Sequence, residues 1–255
     1  MPEKFAFHDL DGIFADIVAA IVKGVGQDVR DYYKDNPDET HNALKLVRGD
    51  KINTNLRNFV VSDSVELKTF KRYSWEGRLI IDRQHKITIT ICTVQTLEAI
   101  PNKKNRTCPH YLMSILHVEN SDVVPNYKQM SLFQNDDQFS DEVLDNDYKS
   151  IMDDDVTIED GYKHLAIVYK TDGLNVSYIA ARLLNPNFLT GCEYSLDKFL
   201  TPDFGDLTMD NNTTDSNKND VSRLINVKTE AFTKDDKSRN EKLIGIKEQE
   251  EKNQA

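Results

Sequence analysis

Trp75-Glu76-Gly77-Arg78-Leu79-Ile80-Ile81-Asp82, followed by Arg83-Gln84-His85 and then Lys86-Ile87-Thr88-Ile89-Thr90-Ile91, is the stretch on which the fold turns. Strict alternation from Ile87 places three isoleucines on one face and Thr88 and Thr90 on the other, which is the period of a strand. Polar residues at 83–85 join two such runs as a β-hairpin. Val65, Leu67 and Phe70 extend this block upstream, so residues 59–94 read as sheet. A second β-block follows at residues 165–169, 176–184 and 192–194, with Thr171-Asp172-Gly173 supplying a turn.

Outside these blocks the period lengthens. Ile13, Ile17, Ala20, Ile21 and Val25 recur at helical spacing, which predicts a helix over residues 13–34, stopped by Asn36-Pro37. A second helix is expected over 38–47, opened by Asp38 as N-cap and broken by Arg48-Gly49-Asp50. Residues 51–57 are polar, a loop or a short helix. Leu112, Met113, Ile115 and Leu116 predict a short buried helix over 110–118. Residues 134–160 are crowded with Asp, Asn, Ser and Gln and are expected to form an acidic mobile loop. The fold class expected is α+β: an N-terminal helical pair packed on an antiparallel sheet, with an acidic loop and a flexible C-terminal tail. Residues 1–204 would form a single domain and 205–255 a largely disordered polar tail, with residues 221–227 as its one apolar patch.

Charge bears on partners. A net charge of −11 repels phosphate backbones, so direct nucleic-acid binding is not expected and a DNA-related role would run through another protein. Cys92, Cys108 and Cys192 are widely spaced and odd in number, which favours reduced thiols in a cytoplasm over a disulfide framework. No secretory leader pattern opens the sequence, and the apolar run at 13–25 is too short and too interrupted to span a bilayer. A cytoplasmic protein without membrane contact is the expectation.

Gln129-Met130-Ser131-Leu132-Phe133 resembles the peptide with which bacterial replication and repair proteins dock on the DNA sliding clamp, Gln-Leu-(Ser/Asp)-Leu-Phe. The resemblance implies that Gln129 reaches a polar subsite while Met130, Leu132 and Phe133 fill an apolar groove. Met replaces the commoner Leu, and its flexible thioether suits such a slot. The competing reading is a short edge strand or loop whose Leu132 and Phe133 tuck into the protein's own core.

Catalytic patterns are weaker. Glu66 and Lys68 fit the Glu-x-Lys half of a metal-dependent nuclease site, with Asp50 or Asp63 as the supporting acid, but the same spacing is the ordinary alternation of a solvated strand face. Asp9 and Asp11 mimic the opening motif of haloacid-dehalogenase phosphatases, whose doubly wound sheet is not expected here. Cys108, His110 and His117 lack a fourth metal ligand, and no Asp cluster fits a Ca²⁺ loop. No cofactor and no metal site is expected.

Residues 48–56, 75–82, 129–133 and 164–169 together resemble a small family known only as a domain of unknown function, from Gram-positive bacteria, their phages and mobile elements. The resemblance covers about residues 10 to 200, leaves out the tail and brings no catalytic residues. The setting it implies is a mobile element, a phage conflict or a toxin–antitoxin pair. The leading expectation is therefore a non-enzymatic interaction protein that binds the sliding clamp. A toxin or nuclease using Glu66 and Lys68, or an acidic DNA mimic using residues 136–160, are the rivals.

Overall fold

The alternating isoleucines lie in the third of six strands. The computed structural model describes residues 5–37, 40, 42–72, 75–103, 105–126, 138–153, 155–157 and 160–200. Its strands are β1 (Val65–Arg72), β2 (Trp75–Asp82), β3 (Ile87–Thr93), β4 (Lys163–Asp172), β5 (Asn175–Leu184) and β6 (Thr190–Ser195), and they sit in the sheet in chain order. All neighbours are antiparallel except β3 and β4, which run parallel, with Ile89 beside Leu165 and Ile91 beside Ile167. The protein is α+β, as expected, but its sheet is not purely antiparallel. A parallel joint needs a crossover connection, and the residues between β3 and β4 carry three helices: α4 (Val94–Asn102), α5 (Tyr111–Glu119) and α6 (Asp141–Met152). The expected single helical layer is thus joined by a second one on the opposite face.

The first layer comprises α1 (Asp11–Val25), α2 (Gln27–Asp35) and α3 (Leu44–Phe59). The apolar stripe of α1, Phe14, Ile17, Val18, Ile21 and Val25, packs with Ile52 and Leu56 of α3 over Ile80, Ile87, Ile89, Leu165, Ile167, Ile179 and Ala181 of the sheet. The other core joins Leu97, Leu112, Ile115, Leu116, Tyr148, Ile151 and Met152 to Leu79, Ile81, Ala166, Val168 and Ala180. β4 is covered on both faces, which is why its run from His164 to Tyr169 is buried without a break.

Three expectations change. The helix expected over 13–34 is two helices that meet at Gly26, where φ is −93° and ψ −89°. Arg48-Gly49-Asp50 does not end a helix but lies inside α3, which runs through to Phe59 because Ile52 and Leu56 bury against α1. The acidic loop expected over 134–160 contains α6. Leu144, Tyr148, Ile151 and Met152 share one helical face, and the last three are buried; the acids between them had hidden that stripe. Asp141, Glu142 and Val143 at its start stay exposed, while Asp147 turns inward to Arg72 and Ser114.

Asn55 ties the first layer together. Its amide donates to Ala20 O (3.3 Å) and to Asp28 Oδ2 (2.6 Å), and its Oδ1 accepts from Lys23 Nζ (3.3 Å). Gly49 has no such duty: a Cβ there would meet no atom within 4 Å. Gly49→Ala is therefore expected to stabilise the fold by about 0.4–1 kcal/mol through helix propensity and a less free unfolded chain. A thermal melt raised by about 1–4 °C checks this; a lowered melt would show that α3 is bent at that residue.

Residues 5–200 fall within one compact unit. Among the described residues no helix is long and apolar enough to cross a membrane, and none of the three cysteines forms a disulfide.

Candidate functional site

The carboxyl ends of parallel strands are where α/β sheets commonly bind ligands, and here that end of the β3–β4 pair opens into a groove. The groove holds about 480 Å³ and lies between α3 and the first residues of β2. Ile80, Ile89, Ile91 and Tyr169 floor it, and α3 contributes Lys45, Leu46, Gly49, Asp50 and Asn53 along one wall. The opposite wall is Trp75, Glu76 and Arg78, with Tyr111 behind. Helical spacing explains the α3 wall, since 45, 49 and 53 rise on one face while Ile52 and Leu56 turn to the core.

Trp75 stacks on Tyr111 (centroids 5.5 Å apart, planes 18° apart) and meets the edge of Phe70 at 5.8 Å. Gly77 makes this possible, because a Cβ there would fall 2.3 Å from the Phe70 ring. Even so, Trp75 remains 47% exposed and Leu46, across the groove, 70% exposed. Apolar side chains left open on a groove rim commonly mark a binding surface.

The second chemically unusual feature is buried. His164 is fully enclosed, and both of its ring nitrogens are bonded: Nδ1 to Thr88 Oγ1 (2.7 Å) and Nε2 to Thr90 Oγ1 (2.9 Å). Thr88 is also bonded to Glu119 Oε2, and Tyr148 O–H donates to Glu119 Oε1 at 2.8 Å. Burial drives His164 down to about 3, so it is neutral. Burial also pushes the Glu119 carboxyl up to about 7, against the lowering pull of Thr88, Tyr148 and Lys163. Asn120 closes the cluster by donating to His164 O (2.9 Å) and Leu184 O (2.7 Å). The Thr face of β3 is thus a sealed polar seam that fixes α5 to the sheet.

The expected site residues fall in several places. Gln129, Met130, Ser131, Leu132 and Phe133 lie outside the described residues. Glu66 and Lys68 share a face of the edge strand β1, but each has a partner. Arg83 binds both oxygens of Glu66 (2.7 and 3.0 Å), an exposed pair whose hydrogen bonds hold that carboxyl below its usual range. Lys68 is paired with Asp155. Asp50 lines the groove of α3 on the other side of the sheet, and Asp63 is exposed in the connection to β1, so these four residues do not converge. Among the described residues no group of three or more His, Cys, Asp or Glu is arranged to hold a metal ion. Asp11 opens α1 and is bound by Tyr194 O–H (3.0 Å) and Lys198 Nζ (2.6 Å). His110 caps α5, its Nδ1 accepting the Leu112 N–H at 3.3 Å; burial, with Arg106, Arg72 and Lys103 nearby, lowers it to about 4.

The groove itself escaped sequence reasoning, because Lys45, Asn53, Trp75 and Arg78 share no local motif. One signal was available: a glycine inside a helix and the chain's single tryptophan both fall in segments that carry the family resemblance. No curated protein and no solved structure matches the chain. A family model matches residues 10–246, beyond the reach to about 200 that the resemblance implied and well into the tail. The chain belongs to that family, the family of unknown function DUF5986.

Proposed function

We propose that this chain is a non-enzymatic interaction protein that engages the bacterial DNA sliding clamp through residues 129–133, and so is recruited to replication or interferes with it. The observation that carries the reading is the pentapeptide itself: Gln129, then Met130, Leu132 and Phe133 at the apolar positions of a clamp-docking peptide. Burying Leu132 and Phe133 in a foreign groove would contribute about 1.5–3 kcal/mol each before ordering costs, which suits micromolar binding. The described residues on either side are both held by the folded body. Asn126 N–H donates to Thr190 O (3.1 Å) and Gln138 Nε2 to Arg106 O (3.2 Å). A phage or mobile-element setting, in which host replication is a target, accords with this role.

A pull-down with purified clamp tests it. Wild type is expected to be retained, and the double variant Leu132→Ala/Phe133→Ala to bind at least about a hundredfold more weakly. Equal retention of both would remove the proposal.

A further inference from the structure

We propose that the groove over α3 is a binding site for a free mononucleotide, with the base against Trp75 and the phosphate between Arg78 and Lys45. This site is separate from residues 129–133 and does not depend on the clamp reading.

The first ground is polar groups left without partners. Most arginines and many lysines of the described body are engaged: Arg72 with Asp147, Arg83 with Glu66, Arg182 with Glu193, Lys23 with Asp28 and Lys163 with Asp122. Arg78 is half-buried in the groove wall and, among the described residues, has neither a hydrogen bond nor an ion pair through its side chain. Exposed Lys45 and Asp50 and half-buried Asn53 line the same groove, also without a side-chain hydrogen bond or ion pair among the described residues. Glu76 is engaged by Lys71 at 3.0 Å, so the acid closest in sequence to Arg78 is not its counter-ion. A guanidinium and an ammonium at one mouth suit a phosphate, while Asp50 and Asn53 suit sugar hydroxyls or base amino groups.

The second ground is local charge. The protein carries a net charge of −11, yet Arg72, Arg106 and Lys103 gather about His110, whose ring adjoins Tyr111 at 4.3 Å. Arg72 is neutralised by Asp147 and Glu76 is taken up by Lys71, which leaves Lys45 and Arg78 against Asp50 among the charged residues that line the groove. A local excess of positive charge favours a small anion. The remaining acidic surface opposes a long polyanion, which separates a free nucleotide from a nucleic-acid strand.

The third ground is Gly49. Glycine in a helix interior costs about 0.5–1 kcal/mol relative to alanine, and here no neighbour demands it, since a Cβ would meet open space. Its bare backbone keeps the groove wall low between Lys45 and Asn53. The volume of about 480 Å³ lies in the range of small-molecule sites, about 300–1,000 Å³.

Trp75 is the only tryptophan, so its fluorescence reports on the site directly. The full chain is titrated with each of the four ribonucleoside 5′-monophosphates, exciting beyond nucleotide absorption, with calorimetry in parallel. At least one is expected to give a saturable change with Kd below about 1 mM. Its nucleoside, inorganic phosphate and a thymidine oligonucleotide should each bind at least about tenfold more weakly. Arg78→Gln should weaken binding about tenfold or more. Gly49→Leu, which enters open space and leaves the core untouched, should abolish it while the thermal melt stays cooperative. No saturable change with any of the four, affinity unaltered in both variants, or tighter binding of the oligonucleotide would each overturn the assignment.

Discussion

Gly24→Leu is expected to destabilise the fold by about 3 kcal/mol or more. Gly24 is buried in α1 where that helix crosses α3. A Cβ there would lie 2.7 Å from Ile52 Cγ1, 2.9 Å from Ile52 N and 3.0 Å from Ile52 Cα. Two of those atoms are backbone and cannot swing aside, so α1 and α3 must separate. Separation loosens Ile52 and Leu56 from Ile17 and Ile21, and opens the α3 wall of the groove as well. Gly24→Ala meets the same atoms with one methyl and should cost about 1–2 kcal/mol, despite alanine's better helix propensity. Gly49, one α-helix away, is expected to respond with the opposite sign. Urea titrations of the three variants measure this. A Gly24→Leu protein as stable as wild type would mean that the two helices do not cross so closely.

The buried seam makes stability depend on pH. Glu119 titrates at about 7 in the folded chain against 4.5 for a free side chain. A group whose folded value is raised contributes stability below its unfolded value and loses it as pH climbs through the folded one. Glu119 alone should thus cost about 3 kcal/mol between pH 4.5 and somewhat above 7. His164 acts in the other direction, falling from 6.5 to about 3, so its contribution is present above 6.5 and lost on acidification. The two slopes oppose one another between 4.5 and 6.5, which leaves the alkaline decline to Glu119.

Hydrogen-bond direction couples the pair. A protonated Glu119 donates to Thr88, which donates to His164 Nδ1, and Nε2–H then donates to Thr90. Ionised, Glu119 accepts from Thr88, Nδ1–H donates to Thr88, and Thr90 donates to Nε2. Glu119→Gln reproduces the protonated arrangement. It should gain about 3 kcal/mol on wild type as pH rises from 4.5 to 8, and the His164 tautomer seen by NMR should switch near pH 7 in wild type only. Parallel pH–stability curves would contradict this.

Much of the sheet was legible. Ile87, Ile89 and Ile91 gave β3 its face, and the turns at 83–86 and 173–174 lie where polar residues and Gly173 (φ +59°) suggested. The parallel pairing of β3 with β4 was not legible, because it depends on a crossover and not on either strand's pattern. α4 carries Pro101 near its end and reads as a breaker, although its Thr93 cap, which accepts the Thr96 N–H, marks a helix start. α6 was hidden by composition. Glu119 and His164 share no sequence motif, and only the fold brings both to the hydroxyl of Thr88. The groove was equally silent, being assembled from a helix wall and a strand start with no shared spacing.

Competition tests the proposal that residues 129–133 occupy the clamp's peptide groove. Full-length chain bound to purified clamp is challenged with a free peptide containing Gln-Leu-Ser-Leu-Phe. Micromolar binding that the peptide displaces completely is the expected result. Undisturbed binding in the presence of saturating peptide, or no binding at all, would contradict the account.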